Sequence, residues 1–151
     1  MLFRSRHAGG TAIVNVSSMA GYMPNGHNVA YHASKSALRM LTMCTSKELG
    51  PQGIRVNSVH PGPIVTPLLR EAFARYTKAG MYASVEEAEA QITASSPLGV
   101  TGRPEDMAHL FVYLASDDAR FVTGTAIAHD GGRARRGRGR RSWCRGRHRR
   151  D

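Results

Sequence analysis

Two short β-branched runs separated by one long helical pattern dominate what this chain can fold into. TAIVNVSS (residues 11–18) carries Ile13, Val14 and Val16 in a near-continuous apolar run. That is the pattern of a strand buried inside a parallel sheet. IRVNSVHPG (residues 54–62) is a second such run, with Ile54, Val56 and Val59, and PGP ends it. Between them the pattern turns helical over residues 29–49, with Ala30, Ala33, Ala37, Leu41 and Cys44 recurring on one face. Asn28 stands where a cap is needed, and Gly50 and Pro51 close the run. Strand, long helix and strand make a βαβ unit, whose crossover is right-handed almost without exception. The alanines predict that this face packs closely on a sheet or another helix. Cys44 is then a small core residue rather than a reactive thiol.

The remaining elements are shorter. LLREAFARY (68–76) and SVEEAEAQI (84–92) read as amphipathic helices, the second with Ser84 as cap and Glu87 at the capping-box position. Their apolar residues suit a mobile lid over a pocket or, equally, two surface helices packed on the domain. RPEDMAHLFVYLASD (103–117) is a strong helix, with Pro104, Glu105 and Asp106 in its first turn. Leu110, Val112, Tyr113 and Leu114 are its expected packing residues. GTAIAHDGG (124–132) reads as a third, short strand. The 151 residues fit one ordinary domain, which this pattern places at residues 1–132.

The net charge of +10 is not spread evenly. Ten of the 21 Lys and Arg lie in residues 133–151 beside a single aspartate, so the body is nearly neutral. RARRGRGRRSWCRGRHRRD has no hydrophobic period and is expected to be a disordered tail. It suits phosphate contacts with nucleic acid, a solvated extension, or a reading-frame change after Gly132 in a GC-rich gene. The abrupt change of composition favours the last. Nucleic acid is expected as a partner only through this tail, the second reading being a non-catalytic remnant that binds through it. No apolar run is long enough to cross a membrane, and MLFRSRHAGG lacks the apolar stretch of a signal peptide, so a cytoplasmic location is expected. Cys44 and Cys144 have neither metal-ligand spacing nor a disulfide framework. His32, His60 and His109 show no metal-ligand pair, and His60 reads as a polar filler at a strand end.

Chemistry concentrates in SSMAGYMPNGHNVAYHASK (17–35). Tyr31 and Lys35, four residues apart on a helix, share one face. An ammonium beside a phenol favours the phenolate, and a serine hydroxyl at a strand end can bond the same substrate oxygen. Such a trio can move a proton to or from an alcohol or carbonyl oxygen, as hydride transfer requires.

With the next strand ending in NSVHPG, these motifs resemble the short-chain dehydrogenase/reductase family from about Gly10 to Gly132. NVSSMAG is similar to the family's active-site serine segment, YHASK to its YxxSK signature, and IRVNSVHPGPIVTP to the segment after the next strand. The stretch from Gly102 to Gly132 resembles the last helix and strand, with the closing DGG. The resemblance implies catalytic roles for Ser18, Tyr31 and Lys35. It makes Tyr31 the general acid/base and has Lys35 bind the nicotinamide ribose and tune Tyr31. It implies that Pro61 and Gly62 make a turn, and that Ile64 and Thr66 contact the nicotinamide of NAD or NADP. The substrate would be a small-molecule alcohol or ketone, and the HPG turn is more similar to hydroxysteroid and cyclic-alcohol members than to fatty-acyl reductases.

The departures carry expectations of their own. No GxxxGxG occurs in the chain, so the loop that cradles the cofactor pyrophosphate has no counterpart. The implied fold is α/β, the C-terminal half of a doubly wound parallel-sheet Rossmann fold (βαβ-α-β) with the first four strands absent. The strand from Ala12 to Val16 would then be an exposed apolar edge prone to association. MLFRSRHAGG would keep the end of a preceding helix. The chain is expected to be inactive or nearly so, and to form homo-oligomers, if any, through helix 29–49.

Overall fold

The computed structural model describes residues 2–7, 10–24 and 28–135; most of the Arg-rich tail lies outside them. Four strands form one sheet in the order β1-β2-β3-β4: β1 (Leu2–His7), β2 (Gly10–Val16), β3 (Ile54–Pro61) and β4 (Ala126–His129). β2, β3 and β4 run parallel, the three strands expected. Helix α1 (Val29–Leu49) crosses from β2 to β3. Then follow α2 (Pro67–Lys78), α3 (Val85–Ala94) and α4 (Pro104–Ala115) before β4.

One expectation about the sheet fails. The outer side of β2 is not a bare edge, because β1 pairs with it antiparallel, from Leu2 opposite Asn15 to His7 opposite Gly10. The opening segment is therefore a strand of a tight hairpin rather than the end of a helix. Its backbone groups satisfy those of β2, which an open apolar edge would leave without partners.

The two faces of the sheet differ in chemistry. Because side chains alternate along a strand, Val14 and Val59 turn one way and Asn15, Ser58 and His60 the other. On the first face Val14, Val59, Met107 and Leu114 form the apolar core, with Ile64, Leu110, Phe111, Val122 and Ile127 packed against it. Leu114 and Val14 are fully buried there, and Leu→Ala at such a site costs about 2–5 kcal/mol. Val112 and Tyr113 do not join this core: they are 68% and 42% exposed, since α4 turns Met107, Leu110, Phe111 and Leu114 to the sheet. Arg55 secures the far end of α4 by donating to the carbonyls of Leu114 and Ser116, at 2.8 and 3.0 Å.

The second face is mixed, with Asn15, Ser58 and His60 beside Ile13 and the fully buried Val56, and α1 lies on it. The alanine face predicted to pack is exposed: Ala30, Ala33, Ala37, Leu41 and Cys44 all face outward. The helix instead buries Thr42 and Ser46, with Lys35, Leu38 and Arg39 half-buried. The reason is pairing. Asn15 Nδ2 donates to Thr42 Oγ1 at 3.0 Å, and Thr42 Oγ1 donates to the Leu38 carbonyl at 2.9 Å. Buried polar groups with partners cost little, so this face can be hidden without an apolar stripe.

Candidate active site

The two serines that end β2 do different things. Ser17 is buried and its Oγ donates to the Lys35 carbonyl at 2.8 Å, which fastens α1 to the strand end. Ser18 has extended backbone and caps a short 3-10 turn, Met19–Gly21, its Oγ accepting from the Ala20 N–H at 3.1 Å. That bond uses a lone pair and leaves the hydroxyl proton to donate elsewhere. The turn lies tight on the helix: a Cβ on Gly21 would stand 2.9 Å from the Lys35 carbonyl oxygen and 3.2 Å from Ser17 Oγ.

Helix α1 starts at Asn28, whose side chain accepts from the Tyr31 N–H at 3.4 Å, as its capping role predicts. Asn28 takes the left-handed conformation that asparagine tolerates. Tyr31 therefore sits in the first turn with its ring partly open to solvent, edge-on to His32. Lys35, one turn on, holds its Nζ 5.5 Å from the Tyr31 ring centroid and donates to the Val16 carbonyl at 3.2 Å. Two of its three N–H bonds remain for a ligand. Lys35 thus links the start of α1, with Tyr31, to the end of β2, two residues before Ser18.

The residues after β3 form a second group. Pro61 is the last residue of β3, and the Gly62 N–H donates to the His129 carbonyl at 3.0 Å. A Cβ on Gly62 would meet Asp130 Cα at 2.7 Å, so only glycine allows the two strand ends to approach. Ile64 bridges to Gly102 and lines a cavity of about 260 Å³ with Pro63, Leu98 and Asp130. Neither Ser18, Tyr31 nor Lys35 lines that cavity. Thr66 caps α2, its Oγ1 accepting from the Leu69 N–H at 3.3 Å, which again leaves its hydroxyl proton free to donate. The DGG segment closes back on itself: Asp130 accepts from the Gly132 and Ala134 N–H groups.

Sequence reasoning undervalued His60. It is fully buried at the penultimate position of β3, with a partner on each ring nitrogen. Its Nδ1 lies 2.9 Å from the Ser18 carbonyl oxygen and its Nε2 3.0 Å from Ser58 Oγ. The Tyr22 ring packs against it at 4.4 Å between centroids, and the Arg39 guanidinium lies over Tyr22 at 4.3 Å. The Tyr22 hydroxyl donates to the Ala126 carbonyl in β4. Burial holds the His60 pKa below its ordinary 6.5; the Ser18 carbonyl opposes this, and the charges of Arg39 and Lys35 reinforce it. Since a carbonyl can only accept, the neutral ring carries its proton on Nδ1. The signal in the sequence was alternation: Val56, Ser58 and His60 share one face of β3, under α1.

No group of three metal-ligating side chains occurs among the described residues, and none of their helices is long and apolar enough to cross a membrane.

Three parallel strands of an α/β sheet, with donor groups beyond their carboxyl ends, make this a Rossmann-like fold. A family model described as Enoyl-(Acyl carrier protein) reductase matches residues 3–134. The chain belongs to the short-chain dehydrogenase/reductase family. It is 39% identical over 125 residues to the Glucose and ribitol dehydrogenase homolog of Oryza sativa subsp. japonica, covering 83% of this chain and 38% of that protein. It is 41% identical over 124 residues to Cyclohexanol dehydrogenase of Acinetobacter sp. (strain SE19), covering 82% and 43%. The crystal structure of the F189W Actinorhodin Polyketide Ketoreductase with NADPH superposes with a TM-score of 0.77 at 34% identity, over 83% of this chain and 48% of that one. The chain spans less than half the length of each.

Proposed function

We propose that this chain carries the proton-transfer and nicotinamide-facing portion of an oxidoreductase that interconverts a secondary alcohol and a ketone with NAD or NADP. The observation that carries the reading is the grouping at the end of β2. Lys35 is tied to the strand by the Val16 carbonyl and faces Tyr31, while Ser18, two residues beyond Val16, keeps a free hydroxyl proton.

In this reading the Ser18 hydroxyl donates to the substrate oxygen and orients it. Tyr31 gives that oxygen a proton during reduction and takes it back during oxidation. The Lys35 ammonium favours the charge that develops on the phenol and uses its remaining N–H bonds to hold the nicotinamide ribose. Thr66, with a hydroxyl proton to spare, and Ile64 would flank the nicotinamide carboxamide, and Pro61 and Gly62 shape the turn beside it. The bound cofactor supplies or accepts the hydride at the carbonyl carbon. The relative that oxidises cyclohexanol supports a cyclic secondary alcohol as substrate class. The exposed face of Ala33, Ala37, Leu41 and Cys44 supports homo-oligomers through helix 29–49.

The residues present suit the nicotinamide end only, because no GxxxGxG loop stands ready for the pyrophosphate. The chain alone should therefore turn over NADH or NADPH barely, if at all. Reduced nicotinamide mononucleotide, which lacks the adenosine half, tests the site directly. Saturation-transfer NMR should show contact between this half-cofactor and the chain, lost in Lys35→Ala. Absence of contact, or contact unchanged in Lys35→Ala, would sink the reading. Robust turnover with NADH or NADPH that disappears in Tyr31→Phe would overturn the inactivity while supporting the chemistry.

A further inference from the structure

We infer that His60 is a positioning residue for Ser18. This rests on the reading of Ser18 as the group that meets the substrate oxygen, and it adds the element that aims it.

The Ser18 carbonyl accepts two bonds. The Gly21 N–H donates to it at 2.9 Å within the 3-10 turn, and His60 Nδ1 at 2.9 Å from the neighbouring strand. A carbonyl has two lone pairs, so both are taken and the peptide plane after Ser18 cannot turn. One residue further back, the Ser17 N–H donates to the Val59 carbonyl at 2.8 Å and holds the Val16–Ser17 peptide to β3. With the plane after Ser18 held, the Ala20 N–H on Ser18 Oγ restrains the direction of the side chain. Of these restraints, the His60 bond is the side-chain one that crosses to another element.

The ring is itself immobilised. The Ser18 carbonyl, which can only accept, selects the Nδ1–H tautomer, and Nε2 is left as an acceptor 3.0 Å from Ser58 Oγ. Tyr22 lies against the ring and is held in turn by Arg39 above it and by the Ala126 carbonyl at its hydroxyl.

The test uses the whole chain and needs no cofactor. Nitrogen-15 NMR should find the His60 ring as the Nδ1–H tautomer at pH 7; the Nε2–H tautomer overturns the proposal. Amide hydrogen exchange then reads the turn. In His60→Ala the Ala20 and Gly21 amides should exchange at least tenfold faster, while amides in the middle of β3 keep their rates. Asn, whose side-chain N–H can occupy the place of Nδ1, should restore slow exchange. Gln, which sets its amide one bond further out, should not. Equal acceleration across turn and strand, or no acceleration, would show a filler and refute positioning. Should His60→Ala fail to fold, the tautomer and the contrast between Asn and Gln still decide the matter. Failure of the half-cofactor to bind would sink the functional reading without altering these rates, so the two failures are distinguishable.

Discussion

Thr42→Val isolates the polar contact that seats α1 on the sheet. Valine nearly reproduces the shape of threonine, so little packing changes. Two buried hydrogen bonds disappear, from Asn15 Nδ2 at 3.0 Å and to the Leu38 carbonyl at 2.9 Å. The cost is unequal between them. The Leu38 carbonyl is a helix carbonyl four residues back and keeps its backbone partner, whereas Asn15, 4% exposed, has a donor left in the interior. An orphaned buried amide costs about 1–3 kcal/mol. For a domain of this size that is a fall in Tm of roughly 4–12 °C. Urea unfolding followed by circular dichroism would measure it. The companion change Asn15→Leu removes the orphan, so the double variant should recover most of the loss, a coupling of about 1–2 kcal/mol. Asn15→Leu alone should cost less than Thr42→Val, because Thr42 still donates to Leu38. A Thr42→Val variant within about 0.5 kcal/mol of the parent, or a double variant as unstable as the two singles summed, would refute the argument. The same contact joins β2, which leads into Ser18, to the helix that carries Tyr31 and Lys35.

Two further outcomes are expected. The folded state holds His60 neutral below its ordinary pKa of 6.5, so the unfolded chain binds the extra proton first. Its contribution is full above that value and is lost as pH falls through it toward the folded pKa. Denaturation midpoints should therefore fall more steeply on acidification in the parent than in His60→Asn, and equal slopes would contradict this. Gly131 has φ of +64°, and a Cβ there would stand 2.3 Å from Ser96 Oγ, so Gly131→Ala should lose about 1–3 kcal/mol in urea unfolding. Ser96→Ala in the same chain should return part of that loss.

Much of the architecture is written locally. β-branched runs, the Asn28 cap and the Gly50–Pro51 stop are short-range signals, and they marked β2, α1 and β3 with α1 at its observed ends. The YxxxK spacing placed Tyr31 and Lys35 on one helical turn for the same reason: helix geometry is periodic and needs no tertiary information. Ser84 and Thr66 were legible or missed on equally local grounds. Ser84 opens an obvious capping box, whereas Thr66 follows a Pro-rich turn and was read only as a cofactor contact.

What the tertiary structure decided is which face of each element turns inward, and who meets whom across the sheet. The alanine stripe of α1 had the right period and the wrong side, because hydropathy alone cannot count partners that lie 18 or 27 residues away. Once Asn15 and Ser17 meet α1 through Thr42 and the Lys35 carbonyl, a polar face is cheap to bury, and the apolar one is left outside. His60 shows the same limit. Its buried position, its tautomer and its hold on Ser18 depend on a carbonyl 42 residues earlier in the chain. Local spacing determined which groups this protein brings to the end of its strands; only the long-range hydrogen bonds decided how firmly they are aimed.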